Sequence, residues 1–230
     1  MKRIIVLCIV ISGFFTTILY SQTVLLDHNC STMSSWSRGA GAWGSTGWLL
    51  QQTSSSETMA ALSNRVVQRG YLLYSFEITI TGGLEDGYGG VGIHILSDTP
   101  ASGRSWGMGS SVLLWLTHDV RAYGPNNFYG QIYHSRDAVN MEMIHAGSKY
   151  PLSFQQAAGD SPVSITGKKI KIRIAVDTKT GNSILYDPFQ TGFVYQFNLG
   201  KTNLSGNFIA FRTNSCTVEI DNVRVVNLPE

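Results

Sequence analysis

Two stretches near the end of the chain alternate between apolar and polar side chains. The first is Gly206-Asn207-Phe208-Ile209-Ala210-Phe211-Arg212. A short turn from Thr213 to Ser215 leads into the second, Cys216-Thr217-Val218-Glu219-Ile220-Asp221-Asn222-Val223-Arg224-Val225. A β-strand turns successive side chains to opposite faces, so a repeat of two residues indicates strands with one buried face. This stretch therefore predicts the closing strands of a β-sandwich.

The same alternation runs through most of the chain before this point. In residues 170–177, isoleucine and valine alternate with mostly charged side chains, which is typical of a sheet with one face in water. Glycine-bearing turns such as 81–83 and 179–182 separate the strands, and helix signals are nearly absent. We therefore expect one all-β domain over residues 23–230. Its predicted strands lie near 25–27 and 47–52 and at 71–81, 90–98, 111–119, 127–135, 139–147, 168–177, 182–187, 192–199, 207–213 and 216–226.

Residues 1–22 have the character of a secretory signal. Lys2 and Arg3 precede an apolar run from Ile4 to Tyr20, and small residues lie near its end. An uncleaved anchor is the alternative, although the run falls just short of the usual length of a membrane span. We expect cleavage, no membrane span in the remaining chain, and a location that is secreted, periplasmic or at the cell surface.

The charge balance argues against a nucleic-acid partner. Removal of Lys2 and Arg3 with the signal leaves 15 basic residues against 15 acidic ones. Binding to phosphates normally requires a basic face, and the densest basic run, residues 168–173, alternates with isoleucine as a solvated strand face would. We expect a monomer that recognises a neutral polyol rather than an ion.

Two cysteines, Cys30 and Cys216, remain after the signal with its Cys8 has gone. In an oxidising compartment a pair of cysteines in a secreted domain favours a disulfide. Two buried free thiols are the alternative. We expect the disulfide.

The predicted hairpin over residues 127–147 has an unusual polar face. Phe128, Ile132, Val139, Met141 and Met143 would fill the core, and the opposite face would combine aromatic rings with amides and a carboxylate. Sugar recognition uses flat rings that stack on pyranoses and polar groups that pair with hydroxyls. Neighbouring strands would add a histidine and a tryptophan. The predicted carbohydrate-binding residues are His94, Trp115, Tyr129, Gln131, Tyr133, Asn140 and Glu142.

Taken in order, several features resemble the concanavalin A-like lectin/glucanase superfamily, with its laminin-G-like members. The resemblance spans nearly the whole chain after the signal and implies a jelly-roll sandwich of two curved antiparallel sheets, with a glycan site on the concave face. The features are Asp27, Trp36, Trp43, the strand Gly47-Trp48-Leu49-Leu50, the strand from Tyr74 to Ile80, and the closing pair from Phe208 to Val225.

The chain departs from the enzymes of this superfamily at two motifs. Family 16 glycoside hydrolases carry Glu-x-Asp-x-x-Glu, whereas Glu219-Ile220-Asp221 lacks the second glutamate. Alginate-lyase relatives carry Gln-Ile-His, whereas Gln131-Ile132 is followed by Tyr133, and His134 comes one residue late. Because strand side chains alternate, a shift of one residue moves the histidine to the other face.

Three functions remain open at this stage. A polysaccharide-binding protein is the first hypothesis. The second is an enzyme on the same face: a glycoside hydrolase using Glu142, or a polysaccharide lyase using Tyr133 and His94 for proton transfer. The third is a protein-adhesion module, a common role of laminin-G-like relatives.

No cofactor is required by any of these hypotheses, although the resemblance allows a structural calcium ion. Asp27 and Asp221 would meet if the terminal strands pair, and their carboxylates are the hard oxygen ligands that calcium prefers. The histidines lie on different predicted strands, so no zinc site is expected.

Overall fold

A computed structural model describes residues 22–83, 89–118, 128–144, 152–153, 165–189 and 192–229, with the backbone alone at 117–118, 128–129 and 152–153. The predicted signal, apart from Gln22, lies outside these residues. Within the described ranges the elements are strands and turns, and no helix there is long and apolar enough to cross a membrane. The strands are β1 Thr23–His28, β2 Trp36–Ala40, β3 Trp43–Thr46, β4 Leu49–Gln52, β5 Ala60–Gln68, β6 Tyr71–Gly83, β7 Gly90–Ser97, β8 Ser111–His118, β9 Phe128–Ser135, β10 Met141–Ile144, β11 Leu152–Ser153, β12 Lys169–Asp177, β13 Asn182–Tyr186, β14 Val194–Asn198, β15 Gly206–Asn214 and β16 Cys216–Leu228.

These strands form two antiparallel sheets that pack face to face. The first sheet has the order β14-β13-β12-β6-β16-β4-β3, and β1 also pairs with β16; the second has the order β10-β9-β8-β7-β15-β5-β2, and β11 also pairs with β9. The closing strands β15 and β16 lie in different sheets, each with neighbours on both sides. The chain passes from one sheet to the other at Ser215, whose φ of 52° lies in the left-handed region.

The core lies between the sheets and is centred on aromatic rings. Phe211 of β15 contacts Phe76 of β6, with ring centroids 5.2 Å apart, and Trp36 of β2, at 5.6 Å. From β12, Ile170, Ile172, Ile174 and Val176 are buried, while the intervening Lys171 and Arg173 are exposed. The predicted alternation of this strand is therefore confirmed.

The all-β sandwich predicted from the sequence is confirmed, and each of the ten strands predicted after residue 70 corresponds to an observed one. Four strands, β2, β3, β5 and β11, were not predicted. In β5 the first five residues, from Ala60 to Asn64, are all buried, so no alternation marks it. Parallel and covered sheets commonly lose the period-2 pattern in this way because both of their faces are packed.

The predicted disulfide is absent, because Cys30 and Cys216 are both free and buried. His28, two residues before Cys30, pairs with Val223 in β16, while Cys216 begins the same strand. Cys30 lies beside residues 221–223 of β16. About five to seven strand residues therefore separate the two positions, or roughly 15–25 Å, whereas a disulfide requires Cα atoms within about 7 Å. Burial raises the pKa of Cys30 to about 11 and that of Cys216 to about 12.

Alkylation tests this arrangement of thiols. We expect N-ethylmaleimide at neutral pH to modify Cys30 and Cys216 slowly in the folded protein, because both are buried and the thiolate is the reactive form. In denaturant without reductant, peptide mass spectrometry should find both modified. A requirement for reductant before modification would show a disulfide and contradict the structure.

Candidate functional site

The candidate site lies on the outer face of the second sheet, the face turned away from the core. Here the register of β8 and β9 pairs Leu113 with Tyr133 and Trp115 with Gln131. Leu113 and Trp115 are buried, whereas Gln131 and Tyr133 are half-buried. The side chains at these positions were predicted to share a face, and the register confirms it for Trp115, Gln131 and Tyr133.

Space for the Trp115 ring comes from a glycine in the neighbouring strand. Gly92 of β7 pairs with Trp115, and a Cβ atom at Gly92 would lie 2.7 Å from ring carbon Cε3 of Trp115. Real Cβ atoms do not approach other atoms so closely, so a larger residue at Gly92 would displace the ring. The absence of a side chain at Gly92 thus provides the space that the Trp115 ring occupies on this face.

A loop covers part of this face. Residues 98–110, the covering loop, connect β7 to β8, and hydrogen bonds between Asp98 and Ser110 join its ends. Met108 and Ala101 from the loop pack on Ala61 and Ala210 of the sheet, forming a small apolar cluster apart from the main core. This cover explains why β5 is buried on both faces.

The covering loop carries Trp106, which the sequence analysis did not identify. Trp106 is 38% exposed, and its ring lies edge-to-face against the Trp115 ring, with centroids 4.9 Å apart and planes at 74°. Trp115 also packs with the half-buried Tyr133 and pairs with the half-buried Gln131. Trp115 is therefore the contact that links Trp106 to these two residues. The available signal was a single tryptophan in a loop of glycine and serine, which has no period to detect.

Arg212 of β15 holds the covering loop from below. Its side chain is fully buried, and its guanidinium donates hydrogen bonds to the carbonyl oxygens of Gly107 at 3.0 Å, Met59 at 3.3 Å and Gly103 at 3.4 Å, and to Ser105 Oγ at 3.4 Å. Burial lowers the pKa of Arg212 to about 10, so it remains charged at neutral pH. A planar fork of donors thus fixes loop backbone at several points.

His94 of β7 holds the backbone of Trp106 itself. Its Nε2 lies 3.0 Å from the Trp106 carbonyl oxygen, which can only accept, so Nε2 carries the hydrogen; Nδ1 then accepts from the Ser111 hydroxyl at 2.9 Å. Burial, together with the nearby charge of Arg212, lowers the pKa of His94 to about 3. The ring is neutral, and both of its nitrogens have partners inside the protein.

The turn between β9 and β10 closes over the other side of the loop. The Gly107 amide donates to the Ala138 carbonyl at 3.0 Å, and the Met108 amide donates to Ser135 Oγ at 2.9 Å. A Cβ atom at Gly107 would collide with the Asp137 carbonyl oxygen. Trp106 is therefore presented by a segment fixed from the sheet below and from the turn beside it.

Glu142 and Asn140 do not share the face of Tyr133, which corrects the predicted hairpin geometry. Glu142 pairs with His134, one position from Tyr133 and therefore on the opposite face; Met143 is the residue that pairs with Tyr133. Glu142 is exposed and bound to Arg136 at 2.7 Å. Asn140 lies in the turn, where its amide nitrogen donates to Asp137 at 2.6 Å.

The remaining predictions on the hairpin have mixed outcomes. Ile132 is in the core as predicted, whereas Val139 is exposed and Met141 packs on the outer-face cluster beside Trp115. The side chain of Tyr129 lies outside the described residues. His134 is buried, its Nε2 bonds the Leu199 carbonyl, and desolvation lowers its pKa.

The groups predicted for catalysis are not brought together. His94 lies under the covering loop with both nitrogens bonded inside the protein, and Glu142 lies on the opposite face of the hairpin from Tyr133. Proton transfer between protein and substrate requires groups within hydrogen-bond reach of one reacting atom. Glu142 and Tyr133 face away from each other across the sheet, and the imidazole of His94 is enclosed.

The terminal strands pair as predicted, but the aspartates on them form ion pairs with basic side chains of the protein. Asp27 lies 3.7 Å from Arg224 Nε, and Asp221 lies 3.2 Å from Lys169 Nζ. Within the described ranges no group of three or more histidine, cysteine, aspartate or glutamate side chains could hold a metal ion. The residues present do not fit the calcium site that the resemblance implied.

Comparison with solved structures identifies the fold. The carbohydrate-binding module CBM66 from Bacillus subtilis aligns with a TM-score of 0.56 and 16% identity over 83% of this chain and 94% of that one. The VIP36 exoplasmic/lumenal domain in its Ca2+/Man3GlcNAc-bound form gives 0.57 and 8% over 91% and 92%. Alginate lyase Aly36B gives 0.54 and 12% over 89% and 98%. No protein-family model and no curated protein sequence matches this chain.

These alignments establish a concanavalin A-like jelly-roll sandwich, the fold that the sequence resemblance predicted. At identities this low the likeness extends to the fold alone. Proteins that share it include carbohydrate-binding modules, lectins and a lyase, so the site must distinguish among functions.

The enclosure of His94 predicts a loss of stability in acid. In the unfolded chain the imidazole of His94 binds a proton near its ordinary pKa of 6.5, whereas in the folded protein it does so only near pH 3. Stability is therefore complete above pH 6.5 and falls as the pH drops towards 3. Between pH 7.5 and 5 we expect His94 to account for a loss of about 2 kcal/mol.

Urea denaturation of the wild type and of His94→Gln at several pH values isolates this contribution. The other histidines remain in both proteins, so the difference between the two pH dependences belongs to residue 94. If the free energy of unfolding of the two proteins changed with pH in the same way, the loss of stability in acid would not come from His94.

Removal of the Arg212 guanidinium should loosen the covering loop. We expect Arg212→Met to lower the free energy of unfolding by about 2–4 kcal/mol, because the loop carbonyl oxygens lose buried donors. Trypsin should also cleave faster after Arg104, which lies within the loop. Arg65→Met, which removes an exposed arginine from β5, is the control and should change neither result. Equal stability and cleavage of Arg212→Met and wild type would contradict the role of Arg212.

Proposed function

We propose that the chain binds carbohydrate on the outer face of its second sheet, beside the covering loop. The observation that carries this proposal is the partly exposed Trp106, whose ring lies edge-to-face against Trp115, while Trp115 in turn pairs with Gln131 and packs with Tyr133. The apolar face of a pyranose stacks on such an indole, and an amide at the edge of the ring can pair with sugar hydroxyls.

The rigidity of the platform favours binding over catalysis. Arg212 and His94 fix the loop backbone at residues 103, 106 and 107 before any ligand arrives. A site ordered in advance loses less conformational entropy on binding, so weak individual contacts with a sugar suffice. His94 therefore positions Trp106 and does not contact the ligand in this proposal.

The proposed ligand-contacting residues differ in part from those predicted from the sequence. Trp106 is added, Gln131 and Tyr133 are retained, and Trp115 acts as a support beneath Trp106. Glu142 and Asn140 are left out because the strand register turns the first away and the turn binds the second.

Two further lines of support come from the comparisons and from the sequence. The similar structures include a carbohydrate-binding module and a lumenal domain solved with Man3GlcNAc. The basic and apolar start of the chain suits export, so we propose that the ligand is an extracellular polysaccharide. A glycan outside the cell would meet the protein after export.

Substitution of Trp106 tests the proposal directly. We expect Trp106→Ala to weaken the binding of a retained polysaccharide by about 5- to 30-fold, because loss of one stacking contact removes on the order of 1–2 kcal/mol. Trp48→Ala is the matched control: Trp48 is 62% exposed on the β3–β4 turn of the first sheet. It should bind as wild type does.

The measurement is affinity gel electrophoresis through a panel of neutral and uronate polysaccharides, with reducing ends and unsaturated products assayed in parallel. Retardation that Trp106→Ala loses and Trp48→Ala keeps would support the proposal. New reducing ends or unsaturated products would instead identify an enzyme. Equal retardation of both variants would exclude the Trp106 platform.

A further inference from the structure

The outer face of the first sheet, on the other side of the sandwich, carries a different chemistry. In the middle of this face, β12 directs Lys171 and Arg173 outwards, and β16 adds Arg224. Lys169, at one end of the face, is bound by Glu77 at 3.1 Å and Asp221 at 3.2 Å. The ends and the middle of the face therefore differ in how far their charges are neutralised.

A groove of about 350 Å³ runs through the middle of this face. Basic side chains line it together with a hydroxyl and two amides, and apolar side chains from β6 and β16 form part of its floor. Its polar lining residues are Gln22, Asp27, Ser75, Lys171, Arg173, Asn222 and Arg224.

The cations of the groove outnumber its single carboxylate. Asp27 lies 3.7 Å from Arg224 Nε, which is too long for a hydrogen bond, and this Nε is buried without a hydrogen-bond partner. Arg173 stacks over the Tyr186 ring at 4.4 Å, an arrangement that holds its guanidinium in place. Among the described side chains, no carboxylate lies within 4 Å of Lys171 or Arg173. Glu77 lies opposite Lys171 in the strand register, but its carboxylate forms its ion pair with Lys169.

A second and larger groove adjoins the first on the same face. It has a volume of about 850 Å³, and its lining includes Tyr71, Asn182, Ile184 and Gln196. In the strand register, Ala175 of β12 lies between Leu73, which lines the smaller groove, and Ile184, which lines the larger one. One elongated ligand could thus contact the basic groove and the amide-lined groove together.

We infer that the outer face of the first sheet binds a polysaccharide that carries carboxylate or sulfate groups. Lys171, Arg173 and Arg224 would receive the anionic groups, and Tyr71, Asn182 and Gln196 would contact neighbouring sugar units. Guanidinium groups pair with planar carboxylates and with sulfates through two hydrogen bonds at once, and an arginine stacked on a tyrosine is oriented for this. This site is separate from the Trp106 platform and does not depend on it.

Removal of two groove cations tests the inference. Affinity electrophoresis through alginate, which is carboxylated, and through chondroitin sulfate would compare the wild type with Lys171→Ala/Arg173→Ala at about 50 mM and about 500 mM NaCl. We expect retardation of the wild type at low salt, its loss at high salt, and at least about tenfold weaker binding by the double variant. Circular dichroism would verify that each variant is folded.

The matched control is Arg38→Ala/Arg65→Ala, which removes two positive charges from exposed positions on the second sheet. It should bind as the wild type does, and so should Trp106→Ala. An equal loss in this control, absence of salt-dependent retardation of the wild type, or binding of vesicles with anionic lipid in place of polysaccharide would overturn the inference. Loss with Trp106→Ala alone would also overturn it, while supporting the proposed function.

Discussion

The buried guanidinium of Arg212 is the interaction on which the outer face of the second sheet depends. A charge inside a protein is costly unless hydrogen bonds replace its water, and here backbone carbonyls of the covering loop and of Met59 are among the groups that do so. The arginine and the loop therefore require each other. The loop shields the charge, and the charge gives the loop one conformation, which places Trp106 against Trp115.

The two outer faces of the sandwich differ in what lies on them in the described part of the chain. On the second sheet, small residues such as Ala61 and Ala210 let the covering loop pack closely. The first sheet keeps an open face with charged side chains on β12 and β16. A chain with 17 basic and 15 acidic residues can thus carry aromatic side chains on one outer face and a basic groove on the other, a separation that a charge count does not reveal.

The sequence predicted strands correctly where one face of the strand is in water. It was less informative for strands buried on both faces and for loops. The alternation of β12 was visible because water reaches Lys171 and Arg173, whereas β5 was missed because the covering loop buries its other face. The hairpin was located correctly, but a turn that includes Val139 shifts β10 by one position, which exchanges the faces of Glu142 and Met143. Trp106 was not identified because it lies in a loop, where no two-residue alternation shows which side chains share a face. The cysteine pairing was wrong because proximity in a sheet depends on register along β16.

The crossing of the chain at Ser215 has a consequence for the order in which the protein can assemble. Both β15 and β16 lie inside their sheets, β15 between β7 and β5, and β16 between β6 and the strands β4 and β1. The second sheet cannot be completed before β15 is available, and the first cannot be completed before β16 is available, so the contacts that close the sandwich join distant parts of the chain. Such a topology folds slowly. A chain that emerges from its N-terminus would therefore lack an inner strand of each sheet until almost all of it has been synthesised.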